Sequence, residues 1–106
     1  MAFEEYQTLA TKTPLSLRND RDRVNMPVLG LQEEAGKIGA LLTRAFASGK
    51  LHLTQAQTIE LQGRLSDTLW YMALLCGETG IRMQDVATQS IGQLEARTKM
   101  LDRDQR

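Results

Sequence analysis

The chain has 106 residues, 42% of them hydrophobic, and its 13 Lys and Arg balance 13 Asp and Glu to a formal net charge of zero. A chain of this length can bury one core but not two, so a single domain over residues 1–106 is expected. The even charge excludes the basic excess with which a protein neutralises many phosphates, which argues against a nucleic-acid partner.

Phe3, Tyr6 and Leu9 recur three apart and predict a short amphipathic helix ending near Lys12, with Pro14 as its stop. Residues 13 to 25 read as a polar connection, since the sign-alternating LRNDRDR tract has the pattern of a solvated loop. Pro27 suits the first turn of a second helix, where its missing N–H costs nothing. There Leu31, Ala35, Ile38, Leu42 and Ala45 form one apolar stripe, and Gly49 is the natural end of a helix over 27–48. Gly30, Gly36 and Gly39 each cost up to about 1 kcal/mol in a helix interior and are expected to permit close packing.

Thr54 and Gln57 have the spacing of a capping box and begin a third helix over 54–79. Its expected buried face is Ile59 or Leu61, then Leu65, Leu69, Met72 and Cys76, with Gly77 or Gly80 closing it. A fourth pattern runs from Met83 to about Met100 through Val86, Ala87, Ile91 and Leu94, and the LDRDQR tail is expected to fray. No alternating strand pattern occurs. The fold class is therefore all-α: two long antiparallel helices joined by a short turn, plus shorter N- and C-terminal helices. The stripes are wider than the short first helix can cover, so dimerisation is expected to complete the bundle.

The single cysteine, Cys76, excludes an internal disulfide. MAFEEYQ is acidic where a secretion signal carries positive charge, and the longest apolar run, Leu69 to Cys76, is far short of the roughly 20 residues that span a membrane. A cytoplasmic location without a membrane partner is expected.

Residues three apart share a helix face, so positions 34 and 37 point together, as do 64 and 67. Carboxylates at all four would form an oxygen-rich pocket suited to Mg²⁺. Here Glu34 and Asp67 are joined by Lys37 and Arg64. On spacing alone Glu33 and Glu34 are solvated helix charges, and Arg64 has an ordinary surface partner in Glu60, four residues earlier. Trp70 and Tyr71 read as core or interface, His52 as an exposed turn residue, and Cys76 as a small core residue. No Ser/His/Asp arrangement, zinc spacing or Gly-rich phosphate loop is present.

The stretches GLQEEAGK, RLSDTLWYMALLC and GIRMQDVATQSIGQLEAR, with the opening EEYQTLATKT, resemble a single-domain MazG-type nucleotide pyrophosphohydrolase of the all-α NTP pyrophosphatase superfamily. The resemblance runs in order from about residue 4 to residue 97. It implies a MazG-like helical bundle that cleaves a nucleoside triphosphate to the monophosphate and pyrophosphate. Mg²⁺ would be held by the carboxylates of an EExxE and an ExxD motif.

Carried over by position, Glu33, Glu34 and Asp67 are the implied catalytic residues, with Glu34 and Asp67 as ligands if a metal is bound. Lys37 stands at the third acidic position and Arg64 at the glutamate of the second motif. Ser90 and Gln93 stand where the family has an asparagine and a lysine near the substrate, and Arg97 matches the trailing arginine. Lys37, Arg64, Ser90, Gln93 and Arg97 are thus the implied substrate-binding set, and Trp70 and Tyr71 match the family's aromatic pair.

With two cations among the ligand positions, Glu34 is expected to pair with Arg64, and Lys37 with Asp67, in place of Mg²⁺. Two functions fit these residues. In one, Glu33, Glu34 and Asp67, with Glu60 recruited, still hold Mg²⁺ while Arg64, Lys37 or Arg97 hold phosphates. In the other, a catalytically silent relative binds a nucleotide or another anion without metal, or serves as an assembly module. Either is expected to be a homodimer or a dimer of dimers.

Overall fold

The computed structural model describes residues 2–12 and 19–104, which form four helices and no strand. These are α1 (Phe3–Thr11), α2 (Asp20–Ala45), α3 (Gln55–Thr79) and α4 (Met83–Asp104). No helix among the described residues is long and apolar enough to cross a membrane.

α2 begins at Asp20, not at Pro27. The Asn19 side chain accepts a hydrogen bond from the Asp22 N–H at 2.9 Å, and Asp20 and Asp22 occupy the first turn, where the helix dipole favours acidic groups. Arg23 folds back to Asp20 at 3.7 Å. Most of the charged tract read as a loop is therefore a capped helix start, while residues 13–18 of that connection lie outside the described residues. Pro27 sits inside the helix, fully buried, and its missing N–H leaves the Arg23 carbonyl without its helical donor. α2 ends at Ala45, short of residue 48, and Gly49 takes a positive φ of 85° in the following turn.

The α3 boundaries follow the sequence closely. Thr54 and Gln57 exchange both capping-box hydrogen bonds, at 3.1 and 2.9 Å. Gly80, not Gly77, closes the helix: its φ of 72° is left-handed, and the Ile81 N–H bonds to the Cys76 carbonyl at 2.9 Å. α4 is longer than expected, running to Asp104, so most of the tail read as frayed is helical.

α2 and α3 pair antiparallel, since Gly30 meets Tyr71 and, one turn further along α2, Glu34 meets Arg64. A Cβ at Gly30 would lie 2.6 Å from the Tyr71 ring, so only glycine allows this approach. Gly36 and Gly39 face open space, and the close packing expected at all three glycines holds only at Gly30. The buried line of α2 is Pro27, Gly30, Glu34, Leu41 and Ala45. Of the predicted stripe only Ala45 lies in that line; the rest is on its flank, with Leu31, Ile38 and Leu42 half-buried and Ala35 exposed.

α1 covers only the C-terminal half of α3. Tyr6 and Ala10 pack with Leu69, Trp70, Ala73, Cys76 and Met83, while Phe3 and Leu9 of the predicted α1 stripe are exposed. Gln7 fastens this contact: its Nε2 donates to the Ile81 carbonyl and its Oε1 accepts from the Met83 N–H, both at 2.8 Å. Of the rest of the predicted α3 face, Ile59, Leu65 and Met72 stay open at 63%, 52% and 37% exposed, while Leu61, the alternative to Ile59, is half-buried. The accessible surface is 8214 Å², against about 5,900 Å² for a typical monomer of 11.9 kDa. The radius of gyration is 17.5 Å, against about 13 Å for a compact domain of this length.

Gly30→Ala is expected to destabilise the fold by about 1–3 kcal/mol through the Tyr71 clash. Gly36→Ala, in open space, should stabilise it by about 0.5–1 kcal/mol. Urea denaturation of the two variants checks the pair of opposite signs.

Candidate functional site

The α2–α3 register places Glu34 in the buried line, with its side chain 5% exposed. Arg64 reaches it from α3, Nη1 to Oε1, at 3.5 Å, the long limit of a hydrogen bond. Arg64 keeps 30% of its side chain in solvent, and Glu34 Oε2 has no hydrogen-bond partner. One guanidinium in partial contact thus compensates a carboxylate that folding has taken out of water. The expected Glu34–Arg64 pair is present, and Arg64 forms no ion pair with Glu60 among the described residues.

The other expected pair is not formed. Lys37 turns to Glu33, four residues back on its own helix, at 2.7 Å, because both lie on the exposed side of α2 and meet without crossing to α3. The hydrogen bond from Lys37, and then its charge, lower the Glu33 carboxyl below the usual range. Asp67 is exposed and points its influence towards α1. Burial first, and then the Asp67 charge, raise the Tyr6 phenol above its ordinary value.

The three implied carboxylates are therefore dispersed: Glu33 holds Lys37, Glu34 holds Arg64, and Asp67 is exposed on α3 with no hydrogen bond or ion pair among the described residues. Among the described residues no three His, Cys, Asp or Glu are placed to hold a metal ion together. Mg²⁺ prefers hard oxygens, waters and substrate phosphate in near-octahedral array, and a guanidinium at the one buried carboxylate opposes it by charge. The donor set does not fit Mg²⁺.

Ser90, Gln93 and Arg97 are exposed on α4, which packs against α1, and they form no hydrogen bond or ion pair with α2 or α3 among the described residues. Trp70 and Tyr71 touch with centroids 5.2 Å apart, but they serve different neighbours, Trp70 the α1 core and Tyr71 the Gly30 notch. Cys76 is half-buried, and burial pushes its thiol up, away from the reactive range. A shallow depression beside Gly30 is lined by Asp22, Asn25, Met26, Glu33 and Tyr71, and its charged groups are carboxylates. The Tyr6–Asp67 coupling was missed in the sequence; its one signal is that Asp67 and Trp70, three apart on α3, share the side that α1 approaches.

Comparison with protein-family models, with curated proteins and with solved structures finds no match to this chain.

Replacing Arg64 by Met should cost about 2 kcal/mol, because Glu34 keeps its burial and loses its cation. Adding Glu34→Leu should recover most of that loss, and a double-mutant cycle in urea measures the coupling.

Tyr6 gives a pH dependence of defined sign. With its folded pKa above the unfolded value, its contribution to stability is intact below the unfolded pKa and is lost as pH rises through the folded one. Asp67→Asn should lower the Tyr6 pKa part of the way and reduce the alkaline loss, read by NMR titration of the tyrosine ring.

Proposed function

We propose that this chain is a MazG-like module of the nucleotide pyrophosphohydrolase lineage in which an internal ion pair has replaced Mg²⁺, and that it works by self-assembly rather than hydrolysis. The observation that carries this reading is Arg64 at 3.5 Å from the buried Glu34, at the position where the family resemblance implies a metal-binding carboxylate. The ordered motifs and the all-helical architecture support the lineage. The separation of Glu33 and Asp67 from Glu34 supports catalytic silence.

Self-association is supported by the surface left open, well above that of a typical monomer, and by the half-covered α3 face at Leu65 and Met72. A homodimer or dimer of dimers would cover it. Binding of a nucleoside triphosphate or a related anion without metal is the further property this reading allows, with Lys37, Arg64, Ser90, Gln93 and Arg97 as its residues.

The test is pyrophosphate release from a panel of ribo- and deoxyribonucleoside triphosphates with Mg²⁺ or Mn²⁺. The wild type is expected to release none, and Lys37→Glu with Arg64→Glu to gain metal-dependent release. Turnover by the wild type overturns the reading. Nucleotide stabilisation in a thermal-shift assay that survives EDTA identifies metal-free anion binding, and no shift leaves assembly alone. Light scattering should give a multiple of 11.9 kDa, and a monomer removes the assembly role.

A further inference from the structure

From Thr88 to Asp104 every residue of α4 is exposed, a rod of about 25 Å that leaves the body of the chain after its first turn. An unsupported helix of this length is marginal in water, and Gly92, Thr88 and Thr98 weaken it further. Three of its apolar residues are nonetheless ordered: with the half-buried Ala87 just before the rod and the polar Thr98 within it, Ile91, Leu94 and Leu101 complete a line spaced four, three, four and three. That is a coiled-coil seam, with Ile91 and Thr98 at a and Ala87, Leu94 and Leu101 at d. Ile91, Leu94 and Leu101 are 57%, 55% and 62% exposed.

We propose that α4 pairs in parallel with α4 of a second copy of this chain. Within a parallel pair, Ile91 at a with Leu94 and Leu101 at d favours two strands, with Thr98 as one polar layer. The flanking charges choose the orientation. In a parallel pair, Arg97 at g meets Asp102 at e of the other copy, and symmetry makes this contact twice. In the antiparallel pair that keeps the apolar layers aligned, Glu95 meets Glu95 and Arg97 meets Arg97, which repels. The seam is isologous, so the contact closes on itself. This inference rests on the self-association proposed above and adds to the α3 face a second contact, at α4, with its orientation.

The test uses the full chain with Cys76→Ala. Under mild oxidation Leu94→Cys and Leu101→Cys should each form disulfide-linked dimers, whereas Ala96→Cys, on the far side of the helix, should not. Leu101 lies near the end of the seam, so its self-cross-link forms only when the helices run parallel. Cross-linking at Leu94 alone, or equally at Ala96, overturns the proposal. Separately, Arg97→Asp or Asp102→Arg should weaken self-association by roughly tenfold, and the two together should restore it. No restoration, with helix content by circular dichroism unchanged, also overturns it. If light scattering still gives a multimer while the Leu101→Cys cross-link is absent, α4 docks elsewhere on the second copy; the assembly reading then stands and this one fails.

Discussion

The approach of α2 to α3 at Gly30 governs the arrangement of everything else. With no Cβ on one side and the flat Tyr71 ring on the other, the two backbones close to a distance that any other residue would prevent. That contact sets the register, and one turn further along α2 the register delivers Glu34 to the interior. A carboxylate is costly there unless something opposite carries positive charge. Arg64 is what the register offers, and its partial exposure reduces what it must lose in solvation.

A carboxylate at such a position can be compensated by a bound cation or by a side chain, and the two solutions exclude each other by charge and by space. A metal demands several oxygens converging on one point. The guanidinium asks for only one, and of the other two acids Glu33 pairs with Lys37 while the Asp67 charge acts on Tyr6. The dispersal of these acids has local causes: Glu33 and Lys37 lie four apart on the exposed side of α2, and Asp67 is exposed on α3.

Element existence was legible in the residues because caps and breakers are local: Thr54 with Gln57, and Gly80, operate within a turn of their own positions. In the sequence Pro27 is a stronger signal for the start of α2 than Asn19, but the physical decision lies with the Asn19 cap and a proline ring that burial compensates. The stripes were displaced for a related reason. Pattern reading follows large apolar residues, whereas three of the five residues in the buried line of α2 are Pro27, Gly30 and Glu34, which do not stand out as apolar. At the site, the Glu34–Arg64 pair is legible only through the family resemblance, because helical spacing alone offers Arg64 an equal partner in Glu60, four residues earlier. The Lys37 partner is not, since an exposed lysine satisfies itself with the nearest acid at lower entropic cost than reaching across a groove.

Gln7 carries a consequence for how the molecule opens. One side-chain amide serves two backbone groups that belong to the turn between α3 and α4, the carbonyl of Ile81 and the N–H of Met83. When α1 detaches, both groups lose their partner in the same event, and Met83 loses its apolar cover as well. The first helix and the last connection, far apart along the chain, are thus coupled: opening one uncovers the other.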